Sequence, residues 1–320
     1  MALGRYPTPV ERQEVAAGEL WVKRDDLTSP RYGGNKVRKL ERVLQRVRAL
    51  GVRRIVTVGA AGSHHALATA LYARDFGIDV EAVLVPQQYT PHVAENLRVI
   101  ASLARIFPAT SFAHAAAIIV DRVACSSYYV PAGGSTRDSS VAYADAAAEL
   151  LAQVDRGELP LPAQVVVPLG SGGTAAGLAV GFARAGCRAR VIAVLVSEPR
   201  GWVERRVRRL AAGCWRDVVP DCGAFAGRLE IDAGYLGAGY GRPTPAGAWA
   251  LAEGERLGLT LDATYTAKTF AAAHDRLGAH GGGPVLFWHT LSSAPMAPLV
   301  CSAPTENELH GDVRALLVRP

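Results

Sequence analysis

Gln164-Val-Val-Val-Pro-Leu-Gly170-Ser171-Gly172-Gly173-Thr174-Ala-Ala-Gly177 reads as an apolar strand running into a small-residue turn, after which Leu178, Val180, Phe182 and Ala183 carry helical potential. Small residues let backbone amides come close to an anion. The hydroxyls of Ser171 and Thr174 add donors, and the helix dipole favours negative charge at that end. The turn therefore suits a phosphate group as well as it suits a tight connection. No Gly-Lys-Ser/Thr closes it, so it is not a nucleotide P-loop, and its spacing is not that of the dinucleotide fingerprint.

Ile55-Val-Thr-Val-Gly59-Ala-Ala-Gly62-Ser63-His64-His65-Ala66 repeats the pattern of strand, small-residue turn and helix. Ser63 suits a helix N-cap, which is compatible with a further role in binding. The adjacent histidines have no third ligand at metal-site spacing, which excludes zinc. Beyond these two units, apolar patterning predicts helices over 35–50, 63–76, 91–104, 111–124, 138–155 and 173–185. It predicts strands over 53–58, 79–85, 127–131, 164–169 and 189–196. Such alternation implies an α/β fold, with parallel sheets covered by helices on both faces.

Gly33-Gly-Asn35-Lys36-Val-Arg-Lys39-Leu-Glu41 places lysines at a glycine-opened helix start in a chain that has four lysines against 31 arginines. Where charge alone is wanted, this sequence uses arginine. A lysine retained at such a position points to an amine that loses its proton and attacks a carbonyl, which arginine cannot supply. For an arbitrary lysine, a solvated helix face is the ordinary alternative.

Composition narrows the class of protein. A chain of 320 residues with 49% hydrophobic content buries a substantial core, and its size favours two domains. It has no apolar run approaching a membrane span. The start, Met1-Ala-Leu-Gly-Arg-Tyr-Pro, lacks a signal-peptide core, so a cytoplasmic location is expected. Cys125, Cys187, Cys214, Cys222 and Cys301 are odd in number and widely spaced, and are expected to be reduced. The net charge of +6 is spread over many segments and accompanied by 29 acidic residues, so no nucleic-acid partner is expected. The densest basic cluster, Glu204-Arg-Arg-Val-Arg-Arg-Leu210, reads as a solvated face of an amphipathic helix.

A reactive lysine, a phosphate cradle and a polar helix start on separate strand-helix units describe a pyridoxal 5'-phosphate site. The sequence resembles the fold-type II pyridoxal phosphate enzymes, and within them the D-cysteine desulfhydrase and 1-aminocyclopropane-1-carboxylate (ACC) deaminase family. The resemblance runs through Leu20-Trp-Val-Lys-Arg-Asp-Asp-Leu27, the 33–41 stretch, the Ser63–His65 turn and the 170–177 loop. It continues through Gly239-Tyr240-Gly241-Arg-Pro-Thr244, Asp262-Ala-Thr-Tyr265-Thr266-Ala-Lys268 and Phe287-Trp-His289-Thr290, in the family's order. It implies two domains of open, twisted, mostly parallel sheets flanked by helices, as in the tryptophan synthase β-subunit. Residues 1–40 and 151–320 would form the large cofactor domain and 41–150 the small one.

The resemblance also implies roles. Lys36 would carry the cofactor as a Schiff base and then move the substrate proton, with Asn35 positioning the cofactor and Gly170, Ser171, Gly172, Gly173 and Thr174 holding its phosphate. Thr290 would lie at the cofactor. Ser63 and the turn after it would receive the substrate carboxylate, and Tyr240 and Tyr265 would line the site. Thr266 and Thr290 match the desulfhydrase pattern, whereas the ACC deaminase pattern has glutamate and leucine near those places. A hydroxyl beside the pyridine nitrogen suits elimination from a β-substituted small amino acid, releasing a 2-oxo acid and ammonia. β-Replacement and racemisation on the same cofactor are the alternatives, followed by ACC deamination and by a non-catalytic scaffold. A homodimer is implied.

Three departures from the family pattern bear on substrate. The usual Gln-Ser-Asn-His turn is Gly62-Ser63-His64-His65, so a histidine replaces the asparagine expected beside the cofactor 3-hydroxyl and brings an acid or base there. Gly-Gly after His289-Thr290 becomes Leu291-Ser292, which adds apolar bulk. Asp-Pro before the second tyrosine becomes Asp262-Ala263. His64, His65, Thr266 and Leu291 are accordingly expected to contact substrate.

Overall fold

The structure is a computed structural model that describes residues 2–123, 126–215, 226–278 and 283–319. In chain order the strands are β1 (Val10–Val15), β2 (Gly18–Lys23), β3 (Arg54–Ala60), β4 (Asp79–Val85), β5 (Gln87–Gln88), β6 (Arg105–Pro108), β7 (Ser127–Val130), β8 (Gln164–Leu169), β9 (Arg190–Leu195), β10 (Leu229–Asp232), β11 (Val285–Trp288) and β12 (Leu317–Val318). The longer helices are α1 (Asn35–Ala49), α2 (His64–Arg74), α3 (Pro91–Leu103), α4 (Phe112–Arg122), α5 (Arg137–Asp155), α6 (Gly173–Arg184), α7 (Arg200–Trp215), α8 (Pro245–Arg256) and α9 (Thr266–Leu277).

Two compact units share the chain. The larger contains residues 2–39 and 135–294, and the smaller contains 40–134 and 295–320. The expected boundary at 150/151 is displaced to 134/135 for a packing reason. Tyr143, Ala146, Ala147 and Leu150 of α5 belong to the same core as Leu178 and Phe182 of α6 and Val203 and Val207 of α7. The C-terminal segment falls in the smaller unit, where β12 pairs with β5.

In the larger unit the sheet order is β1-β2-β11-β8-β9-β10, antiparallel only between β1 and β2. Along β8 the side chains alternate between two cores. Val165, Val167 and Leu169 face α5, α6 and α7, whereas Val166 joins Ile192, Phe287 and Phe270 on the opposite face. Both faces are covered, which is why this strand reads as an unbroken apolar run rather than an alternation. Phe287 and Phe270 meet edge to face at 5.6 Å, and truncating Phe287 to alanine would cost about 3–5 kcal/mol.

A buried ion network fixes the start of α1 in the same unit. Arg38 pairs with Asp25 at 2.9 Å and with Glu149 at 2.9 Å, while Lys23 reaches Glu149 at 2.7 Å. Tyr143 Oη and Trp288 Nε1 each donate to Asp25 Oδ2 at 2.8 Å. The Lys-Arg-Asp-Asp motif at 23–26 is thus a structural clamp, joining β2, α1, α5 and β11. In the smaller unit a second parallel sheet has the order β6-β4-β3-β7, and β3 delivers the chain to the start of α2.

Of the five cysteines, Cys187 and Cys301 are free thiols and the buried Cys214 thiol donates to the Arg137 carbonyl oxygen at 3.4 Å; Cys125 and Cys222 lie outside the described residues. No helix among the described residues is long and apolar enough to cross a membrane. No group of three acidic, histidine or cysteine side chains among those residues is placed to hold a metal.

Candidate active site

The 33–36 stretch is pinned against the end of β11. Gly34 has φ +85°, and a Cβ there would stand 2.6 Å from the carbonyl oxygen of Thr290, so only glycine lets the two segments touch. The Asn35 amide then donates to that oxygen at 3.0 Å, and the Gly33 amide donates to Ser292 Oγ at 2.7 Å. Thr290 and Leu291 are buried by the contact. Two of the departures in sequence, Leu291 and Ser292, therefore lie next to the helix start that carries Lys36.

Asn35 links that lysine to the glycine-rich turn. Its Oδ1 accepts from Lys36 Nζ at 2.6 Å, and its Nδ2 donates to Thr174 Oγ1 at 3.1 Å. Burial pushes the Lys36 ammonium down to about 8, against the opposing charge of Asp262. Far more of this amine is neutral near physiological pH than for an exposed lysine, and the neutral form is the one that attacks a carbonyl.

The turn after β8 has the form expected of a cradle. Gly172, at φ +90°, caps α6 without a side chain, a conformation L-residues rarely adopt. Around it gather residues that the sequence alone did not single out. Lys39 Nζ donates to Ser135 Oγ at 3.1 Å; Ser135 Oγ lies 2.7 Å from Ser171 Oγ and accepts from the Gly173 amide at 3.2 Å. Arg206 donates to the carbonyl oxygens of Ser171, at 3.0 Å, and Ser135, at 3.2 Å. The expectation that the whole 204–210 cluster is a solvated face thus fails at Arg206, which turns inward while Val203 and Val207 bury the helix. Its position three residues after buried Val203 and beside buried Val207 puts it at the edge of the inward face, a spacing the charge-run reading overlooked.

Burial, the charge of Lys36 and the charge of Arg206 all drive the Lys39 ammonium well below its ordinary range. A cluster so arranged is relieved by an anion. Two serine hydroxyls, a threonine, a helix N-terminus and the side chains of Lys39 and Arg206 beside a nucleophilic lysine form the donor set that a phosphorylated aldehyde requires.

Tyr240 and Tyr265 come together, as an active-site pairing would need, their hydroxyls 2.8 Å apart and their rings edge to face at 5.9 Å. Burial raises both phenols above their ordinary range, so each stays protonated at neutral pH. Thr266 opens α9 immediately after Tyr265. Its hydroxyl donates to Asp262 Oδ1 at 2.7 Å, and the amides of Thr264, Tyr265 and Thr266 all converge on the same carboxylate. The Asp262 carboxylate thus holds the backbone of both Tyr265 and Thr266.

The remaining candidates belong to the smaller unit. Ser63 is the N-cap of α2, accepting from the Ala66 amide at 3.2 Å. His65 is buried between strand and helix. The Thr57 hydroxyl donates to the Val130 carbonyl at 2.9 Å, so it must accept from His65 Nε2, also at 2.9 Å. His64 is half-buried, with its Nε2 3.1 Å from Nε2 of His92, a residue that lies 28 positions away and carried no motif.

An open, mostly parallel sheet with a buried, more easily deprotonated lysine linked to an anion cradle at a strand's carboxyl end defines an enzyme that binds a phosphorylated carbonyl cofactor. The chain belongs to the pyridoxal-phosphate dependent enzyme family, whose sequence profile matches residues 1–290. Its cofactor is pyridoxal 5'-phosphate, and its fold is fold-type II. It is 37% identical to nocardicin C-9' epimerase of Nocardia uniformis subsp. tsuyamanensis, across 91% of this chain and 92% of the relative. It is 29% identical to a D-cysteine desulfhydrase of Salmonella typhi, across 89% and 91%. A solved structure of an ACC deaminase homologue superposes with a TM-score of 0.79 at 26% identity, covering 94% of this chain and 95% of that one.

Proposed function

We propose that this enzyme removes the α-proton of a small amino acid and expels its β-substituent, releasing a 2-oxo acid and ammonia. The observation that carries this reading is the Lys36 amine bonded to Asn35, whose amide reaches Thr174 of the anion cradle; burial lowers that amine to about 8. The bound cofactor supplies a carbonyl for the substrate amine and an electron-withdrawing ring. Lys39, Ser135, Ser171, Gly173, Thr174 and Arg206 hold the phosphate. Lys36 first anchors the cofactor and then, once displaced, takes the proton from the substrate α-carbon. Tyr240, hydrogen-bonded to Tyr265, donates its hydroxyl proton to the leaving group, and Leu291 excludes water. The family resemblance assigns the substrate carboxylate to Ser63, the N-cap of α2. His65 holds the turn through Thr57 and Thr69 rather than binding substrate. Hydrolysis of the resulting enamine gives the oxo acid and ammonia.

Epimerisation is the second reading, supported by the 37% identity to an epimerase and by the histidine at position 64. Its first step is the same proton abstraction, and the reactions divide on whether a proton returns to the α-carbon before a β-group leaves. Incubating the holoenzyme with D- and L-amino acids in deuterated water separates them. Oxo acid and ammonia from β-substituted substrates support elimination. Deuterium incorporation with inversion and no ammonia supports epimerisation, and neither product from a cofactor-loaded enzyme rejects both. A cytoplasmic homodimer completes the proposal, with light scattering as the test of assembly.

A further inference from the structure

All four lysines of the chain lie in the larger unit, and burial lowers every one of them. Lys36 and Lys39 serve the cradle, and Lys23 belongs to the ion network around Asp25. Lys268 has no part in either. It lies on the first turn of α9 and is fully buried, with Nζ donating to the carbonyl oxygen of Leu236 at 2.7 Å and, more distantly, to that of Gly239 at 3.4 Å. Burial lowers its ammonium, and the charges of Asp262 and Glu198 push back.

Sinking an ammonium to hold two backbone carbonyls is a poor route to stability, because an apolar side chain of similar volume would fill the space without the desolvation cost. What the arrangement does secure is the path of one turn. Leu236 and Gly239 lie just before Tyr240 in a segment of turns without regular secondary structure. The Tyr240 hydroxyl meets that of Tyr265 at 2.8 Å, and Tyr265 precedes Lys268 by three residues on the same helix start. The first turn of α9 therefore grips Tyr240 twice, by its hydroxyl through Tyr265 and by its backbone through Lys268.

We propose that Lys268 is a positioning residue that sets the Tyr240 phenol against Tyr265 by holding the carbonyls of Leu236 and Gly239. The proposal rests on the reading above that the Tyr240 hydroxyl serves the reaction.

The test uses the holoenzyme with Lys268→Met, Tyr240→Phe, the double variant and Lys268→Arg. Lys268→Met should keep the cofactor trapped on Lys36 by borohydride while turnover falls about 100-fold, the scale of a misplaced reacting group. The double variant should be no slower than Tyr240→Phe, since both changes remove one function. Lys268→Arg, which keeps charge and donors, should recover part of the rate. Near-ultraviolet absorbance supplies a readout free of activity. In Lys268→Met the alkaline titration of the paired phenols should shift, because the contact that lowers Tyr240 and raises Tyr265 is loosened, and in the double variant it should match that of Tyr240→Phe. Should the methionine variant not fold, Lys268→Gln, which loses the charge, carries the same comparison. Multiplying losses in the double variant, or an unchanged phenol titration, would overturn the proposal. If Tyr240→Phe alone turns over normally, the catalytic reading of Tyr240 has failed, and the titration by itself decides whether Lys268 positions the ring.

Discussion

Asn35 Oδ1 lies 2.6 Å from Lys36 Nζ, and this contact makes the electrostatics of the amine testable without turnover. The rate at which the apoenzyme takes up pyridoxal phosphate should rise with pH through about 8, because only the neutral amine attacks the aldehyde and burial has brought Lys36 down to about 8. Asn35→Asp replaces the amide with a carboxylate of the same shape. Negative charge there favours the ammonium, so the midpoint should move upward by about one to three pH units. Stopped-flow absorbance of reconstitution reads it; a downward shift would mean that Lys36 is not the attacking group.

Lys39 and Arg206 make a separate prediction about the cradle. Lys39→Met or Arg206→Ala should each weaken cofactor binding about 10- to 100-fold, the loss of one hydrogen bond to a charged group. Lys39→Met should not lower the urea midpoint of the apoenzyme, since it removes a buried cation already depressed by two others. Titration of apoenzyme with cofactor and with inorganic phosphate measures both variants. Unchanged affinity in both would move the phosphate away from Ser135 and Ser171.

Much of this geometry was legible in the sequence because it is local. The strand-turn-helix from Gln164 to Arg184, the Ser63 cap and the glycine before Asn35 each follow from residues within a few positions. Lys36 stood out because the chain otherwise spends arginine on charge. The missed partners are all remote in sequence. Ser135 meets Ser171 across 36 residues, Arg206 meets Ser135 across 71, and His92 meets His64 across 28. The β1–β2 hairpin and β11 are also not predicted as elements, although parts of β2 and β11 fall within the Leu20–Leu27 and Phe287–Thr290 motifs. β11 is a four-residue apolar run, too short to show a period of its own, and its assignment comes from parallel pairing with β2 and β8.

The clamp between Asp25 and Arg38 gives a prediction about stability. Burial alone would raise the Asp25 carboxyl, yet Arg38, Lys23 and the Trp288 indole hold it below its usual range, so it is a buried anion dependent on its partners. Arg38→Met leaves that charge inadequately paired and should cost about 3–5 kcal/mol in urea unfolding. Arg38→Met combined with Asp25→Asn should cost less than the single change, because the unpaired charge is then gone. A single-variant loss below about 1 kcal/mol would show that the network contributes little.

His64 and His92 share one hydrogen bond between their Nε2 atoms at 3.1 Å, so one ring must present N–H and the other a lone pair. Asn96 extends the line, donating from Nδ2 to the carbonyl oxygen of Gly62 at 3.0 Å, directly before the Ser63 cap. The pair therefore holds the direction of His64 at the start of α2 and couples its tautomer to that of His92. If His64 governs whether a proton returns to the substrate, His92 must govern it too. His64→Asn, which restores the residue usual in the family, should keep the cofactor and raise oxo-acid release relative to α-deuterium exchange. His92→Phe should shift that ratio the same way, because it removes the partner that orients His64 while leaving His64 in place. The double variant should then resemble either single one. A ratio that follows His64 but ignores His92 would reduce the pair to a packing contact. A ratio that ignores both would leave the choice between elimination and epimerisation to Leu291 and Ser292, whose contacts with the Gly33–Asn35 segment place them beside Lys36.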